Sequence, residues 1–153
     1  KYPVTLLANE LRLQAELTIG ESIFKFGGLA DRVESRQGIP HVIDYKTGSV
    51  NQSDLTLKDI DDLRDGKYKP KFVQLLMYAW LTSKQLKSKK VVSGIYTLRK
   101  SELELLKAKL NNQTVLGEEE LDKFEVFLTE TVMEMLNSEI VLARNPDYQF
   151  AVF

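Results

Sequence analysis

Gly28-Leu29-Ala30-Asp31-Arg32-Val33-Glu34 and Val42-Ile43-Asp44-Tyr45-Lys46-Thr47-Gly48 are the stretches whose reading decides how this chain folds. Both look like strands, and each carries a carboxylate in its interior. The second adds a lysine two residues on. Carboxylates and lysines are rarely buried unless paired or bound to a cation. The residues between, Ser35-Arg36-Gln37-Gly38-Ile39-Pro40, read as a hairpin connection. A turn at Gln37-Gly38 places Asp31 opposite Asp44 and Leu29 opposite Lys46. Opposed side chains on one sheet face have Cβ atoms roughly 5 Å apart. Asp44 and Lys46 share a face because strand side chains alternate. One register thus gathers two acids and an amine, and a slip of one residue would scatter them.

Two carboxylates this close repel unless a proton or a cation lies between them. Magnesium or manganese suits such all-oxygen donors, and the Tyr45 carbonyl offers a third oxygen. A bound cation would acidify a water and neutralise charge developing on a phosphate. Lys46 would orient or deprotonate that water, or stabilise the pentavalent phosphorus. Downstream, Gln74-Leu75-Leu76-Met77-Tyr78 reads as helix, with Gln74 and Tyr78 one turn apart on one face. Leu75, Leu76 and Ala79 cover an adjacent face toward the sheet.

Working outward, Leu11, Leu13, Ala15 and Leu17 alternate with Arg12, Gln14, Glu16 and Thr18, so Val4 to Thr18 reads as a half-exposed strand. Ser22 to Phe26 reads as a short strand or its continuation after Gly20. Leu29 to Glu34 and His41 to Lys46 are the next strands. Gly48 to Pro70 is a long polar loop with a helical turn near Leu57 to Leu63, and loops of that length are often functional. Phe72 to Leu86 is a helix and Val91 to Leu98 a strand. Lys100 to Leu110 is expected as a short helix capped by Ser101. Asn111 to Gly117 is a loop. Glu118 to Leu142 is a long helix with an acidic first turn and Leu121, Phe124, Phe127, Leu128, Val132, Met135 and Leu136 at helical spacing. Asn145 to Phe153 is a tail. The expected order is β-β-β-α-β-α-α, a mixed sheet with helices packed on it.

The 153 residues suit one domain spanning 1–153. A net charge of −1 gives no global attraction to nucleic acid, although a local groove can be basic on a neutral protein. No apolar run reaches the roughly 18 residues of a membrane helix, and no signal peptide reads at Lys1. The absence of cysteine excludes disulfides, thiolate zinc sites and cysteine nucleophiles. A cytoplasmic setting without membrane association is the expectation. Lys1 in place of methionine suggests a piece of a longer protein.

Gly28 to Arg32, Asp44 to Gly48 and Gln74 to Tyr78 resemble, in this order, the "G-x-x-D-R" strand, "D-Y-K-T-G" strand and "Q-x-x-x-Y" helix of the PD-(D/E)XK nuclease superfamily, in the branch typified by the RecB and AddB nuclease domains. The resemblance covers roughly Glu10 to Leu98. It implies a restriction-endonuclease-like α/β core with a mixed central sheet flanked by helices. It also implies magnesium- or manganese-dependent exonucleolytic cleavage of DNA, a role in recombinational repair, and a helicase as a partner subunit or domain. By that resemblance Asp31 and Asp44 bind metal, Lys46 is catalytic, and Gln74 and Tyr78 are the accessory motif of the site.

There are two departures. Family members often carry a metal-binding histidine on a helix before the first strand, whereas the sole histidine here, His41, opens a strand and reads as structural or surface. Many members of this branch hold an iron–sulfur cluster just past a segment like Asn145-Pro146-Asp147-Tyr148-Gln149-Phe150, and this chain has no cysteine there, so such a cluster would belong to a full-length protein only. Both departures fit a core fragment and leave its activity in isolation open. A catalytically inactive nuclease-fold module that binds DNA or a partner protein is the alternative, and incidental charge pairs on an ordinary α/β domain a third reading.

Arg64, Lys67, Lys69 and Lys71 precede the Gln74 helix and fit a DNA-tracking stretch or solvated surface equally. Lys84, Lys87, Lys89 and Lys90 read as solvated surface. Asp59, Asp61, Asp62 and Asp65 lack calcium-loop spacing and read as a solvated helix face. Trp80, Phe124, Phe127, Met133 and Met135 read as packing.

Overall fold

The computed structural model describes residues 3–64, 69–98, 104–137 and 139. Its elements are β1 (Val4–Ile19), β2 (Ser22–Arg36), β3 (Ile39–Lys46), β4 (Thr56–Leu57), α1 (Pro70–Leu86), β5 (Val92–Thr97), β6 (Leu105–Lys107), β7 (Lys109–Leu110) and α2 (Glu118–Leu136), with 3₁₀ turns at Gln52–Leu55 and Ile60–Leu63. Five strands form a mixed sheet in the order β1-β2-β3-β5-β6, and β4 pairs with β7. Only β3 and β5 are parallel within the large sheet, joined through α1; its other neighbours are antiparallel. This is the α/β architecture expected, a mixed sheet flanked by helices.

The turn between β2 and β3 is the one assumed. Gln37 and Gly38 take φ of 54° and 78°, the two positive values that a type I′ hairpin demands. The resulting register pairs Arg36 with Ile39, Glu34 with His41 and Arg32 with Ile43. The strands run further into the connection than Leu29–Glu34 and His41–Lys46 implied. The ladder then stops at Arg32 and Ile43, so Asp31 and Asp44 lie one step beyond it and Leu29 forms no ladder pair with Lys46. There β2 parts from β3 and continues with β1 alone, as one strand through Gly28 to Ser22.

Leu13, Ala30, Val33, Val42, Ile95, Phe72, Leu75, Leu76, Ala79, Trp80, Phe124 and Leu128 form one core between the sheet, α1 and α2. Trp80 is buried, its ring edge-on to Phe26, and its Nε1–H donates to Glu125 on α2 at 2.9 Å. Lys84 reaches the same carboxylate at 2.6 Å, so an acid of α2 satisfies two donors of α1.

The helix expected over Lys100–Leu110 is absent from its described part. Leu105–Lys107 and Lys109–Leu110 are strands, and Ser101 lies outside the described residues. Leu106, Ala108 and Leu110 are buried with lysines between them, a period of two. Pairing along β5 outweighed the helix propensity of Leu, Lys and Ala. The described part of the last helix ends at Leu136, and 138 and 140–153 lie outside the description. Met133 and Met135 are exposed, correcting their reading as packing, and Leu136 is exposed as well. The helix passes the end of the core after Leu128.

Candidate active site

Asp44 sits near the carboxyl end of β3 with only 5% of its surface exposed. Its flanks explain the placement: Val42 and Ile43 are buried on the two faces of a central strand, and Asp44 shares the Val42 face with α1. Gln74 Nε2 on α1 donates to Asp44 Oδ1 at 3.4 Å and to the Tyr78 hydroxyl at 3.2 Å. Tyr78 in turn donates to the Leu29 carbonyl at 3.0 Å. A chain of polar contacts thus runs from β3 through one turn of α1 to β2.

Lys46 Nζ lies 3.0 Å from Asp44 Oδ2. The contact is an ion pair, and apart from Lys46 the buried Oδ2 has no hydrogen-bond partner among the described residues. Burial pushes the Asp44 carboxyl above its usual range; Lys46 pulls against that, and the Asp31 charge adds to it. Asp31 bridges the fork between the parted strands. Its Oδ2 accepts the Tyr45 backbone N–H at 2.7 Å, a bond that β2 main chain would otherwise have made. The Tyr45 carbonyl points to the same side, because N–H and C=O of one strand residue face one neighbour.

The residues present fit a divalent cation. Asp44 Oδ2 is a buried oxygen met only by the Lys46 ammonium, Asp31 Oδ1 has no partner among the described residues, and the donors are all hard oxygens. Among the described residues no group of three or more His, Cys, Asp or Glu gathers as a metal cluster, so the chain offers two carboxylates and a carbonyl, with water to complete the shell.

Gly28 is the residue of this site that pattern alone did not explain. A Cβ there would come within 2.8 Å of Tyr78 Cε1. Its absence lets the Tyr78 ring lie on β2, and the clue was the glycine itself, inside an otherwise apolar strand. His41 is buried in β3, its Nδ1 3.0 Å from the Ile39 carbonyl, a structural residue remote from the carboxylates. Arg32 does not pair with Asp31; it bonds Glu34 at 2.7 Å.

The basic stretch before α1 is largely committed. Lys69 Nζ donates to the Ser53 and Thr56 carbonyls at 2.5 and 2.8 Å, and Lys71 reaches the Ser49 carbonyl and Asp54. Arg64 pairs with Glu130 and lies over the Phe127 ring. Lys67 and Asp65 lie outside the described residues. Asp59 caps the second 3₁₀ turn by accepting from the Asp61 N–H. In the second cluster, Lys84 and Lys89 pair with α2 acids, as a solvated surface would.

A five-stranded mixed sheet with two acids and a lysine at the end of its central hairpin defines a class of phosphodiester-cutting folds. The sequence profile of the PD-(D/E)XK nuclease superfamily matches residues 2–147. The chain belongs to that superfamily. A solved structure titled "Crystal structure of SSO0001" is similar at 19% identity, with 86% of this chain and 51% of that chain covered and a TM-score of 0.41. The chain thus spans about half the length of that protein. No curated protein matches it. Among the described residues no helix is long and apolar enough to cross a membrane.

Proposed function

We propose that the chain is the nuclease core of a RecB/AddB-like recombination and repair protein, a divalent-metal-dependent deoxyribonuclease acting as an exonuclease beside a helicase subunit or domain in the cytoplasm. The single observation carrying this reading is Asp44 Oδ2, a buried carboxylate oxygen met only by the Lys46 ammonium, set beside the Asp31 fork. An acid retained there against its desolvation cost is best explained by a ligand that rewards it.

In this reading Asp31, Asp44 and the Tyr45 carbonyl would hold magnesium or manganese, which would acidify a water and neutralise phosphate charge. Lys46, part-exposed beside Asp44, faces the incoming phosphate and orients or deprotonates the attacking water. Gln74 holds the Asp44 carboxylate through Oδ1. Tyr78 holds Gln74 and anchors α1 to the Leu29 carbonyl, which keeps the fork in register.

Calorimetric titration of manganese, paired with cleavage of end-labelled DNA, tests it. The expected result is one cation-dependent activity and one binding isotherm, both lost in Asp44→Ala. Manganese binding that survives Asp44→Ala, or cleavage that survives both Asp44→Ala and Lys46→Met, would overturn it.

A further inference from the structure

The side of the sheet opposite Asp44 carries a second cluster. Tyr45 alternates away from Asp44 and Lys46 and is 40% exposed. It pairs in register with Tyr96, and the two rings stack with centroids 5.9 Å apart and planes at 17°. The Tyr96 hydroxyl accepts from Arg36 at 3.3 Å. Arg36 and Arg32 share one buried carboxylate, Glu34. Lys107, paired with Gly94 two residues from Tyr96, faces the same way. Its ammonium has no hydrogen bond or ion pair among the described residues. Arg36, Gln37, Ile39, His41, Lys107 and Thr114 line a cavity of about 290 Å³ beside these rings.

The charges on this face do not cancel. Three cations answer to one carboxylate, and among the described residues the Lys107 ammonium has no partner. Stacked aromatic rings beside a surplus of cationic charge is the pairing that holds a single strand: bases lie on π-faces while phosphates meet lysine and arginine. A duplex hides its base faces and cannot use the rings.

We propose that this face is a track for single-stranded nucleic acid, with Tyr45 and Tyr96 as its base platform and Lys107 with Arg36 as its phosphate end. The track lies on the other face of the sheet from the candidate active site, at the same end of β3, because Tyr45 alternates with Asp44 and Lys46. The choice of nucleic acid rests on the nuclease reading; the geometry of rings and cations does not.

The test is fluorescence anisotropy of a labelled oligothymidylate with the whole chain, in chelator so that nothing is cleaved. Lys107→Glu and Tyr96→Leu are compared with wild type, with circular dichroism as the check on folding. Each is expected to weaken binding about tenfold or more, Tyr96→Leu through lost stacking and Lys107→Glu with a salt slope shallower by about 0.7. A duplex of the same length is expected to bind more weakly than the single strand. Wild type that does not bind, Lys107→Glu that binds like wild type, or a duplex that binds as tightly would overturn the track. Cleavage assayed separately with manganese keeps the two readings apart. Binding lost in the variants without any cleavage retains the track and sinks the nuclease; cleavage with unaltered binding in the variants does the reverse.

Discussion

Asp44 carries a cost that shows in two opposed measurements. Because burial raises its pKa, the folded state holds its proton more tightly than the unfolded chain does. Its contribution to stability is therefore full below the ordinary carboxylate pKa and is lost as pH rises through the raised value. At neutral pH Asp44→Asn is expected to melt higher than wild type, by about 2–4 °C for each kcal/mol relieved, and the gap should narrow in acid. The same substitution is expected to abolish manganese binding, and the wild-type affinity should climb as pH passes up through the Asp44 titration. A variant that melts lower at neutral pH would mean that Lys46 already compensates the charge. Gly28 is the other decisive residue. Gly28→Ala drives a methyl against the Tyr78 ring, so a loss of roughly 1–3 kcal/mol is expected in urea denaturation, as for overpacked sites. Cleavage should fall with it, since Gln74 loses its support; an unchanged rate would show that the Tyr78 contact is dispensable.

At the scale of elements, β2 pairs with β1 along its length but with β3 only over Arg32–Arg36, and the fork where β3 parts from it is what Asp31 occupies. Glu34, on the stretch paired with β3, is buried between two arginines. Burial pulls its carboxyl up, but Arg32 and Arg36 outweigh that and hold it below the ordinary range. Its contribution is thus present above the unfolded pKa and lost as pH falls through the lowered folded one. Glu34→Gln is expected to flatten the acid limb of the stability profile and to cost roughly 2–3 kcal/mol at neutral pH, less than a fully buried pair would, because both arginines remain part-exposed. The loop before α1 is the second element with a testable cause. Lys69 ties the Ser53 and Thr56 carbonyls to the start of the helix, and Lys69→Met is expected to cost about 1–2 kcal/mol and to speed amide exchange over 52–57. Exchange unchanged there would place the loop's order in Gln52, which spans to the Lys107 carbonyl.

Across the whole molecule the sheet presents two chemically distinct faces at one end of β3. One holds acids and a lysine under α1; the other holds stacked tyrosines and cations. Alternation along Asp44-Tyr45-Lys46 is the physical reason that three adjacent residues supply both. A net charge of −1 conceals this, because it sums over the whole chain while Arg32, Arg36 and Lys107 share the tyrosine face with one carboxylate, Glu34. Binding to a single strand is accordingly expected to depend steeply on salt despite the acidic total, in the manner of local rather than global attraction.

Much of this was legible in the chain. A turn assumed at Gln37-Gly38 set the β2–β3 register, and the structure has that register. It carries Asp31 and Asp44 to one step beyond the last ladder pair. The helix bearing Gln74 and Tyr78 followed from its apolar face. Other features were decided only by tertiary contact. Leu105–Lys107 became a strand because β5 offered an edge, which local propensity cannot report. The parting of β2 from β3 after Arg32, the Tyr78 ring lying on Gly28 and the Glu34 ion triad depend on atoms far apart in sequence. The lysines before α1 were bound by loop carbonyls whose positions no local pattern encodes. Short-range geometry and periodicity are written residue by residue; which donor meets which acceptor across the fold is set by packing.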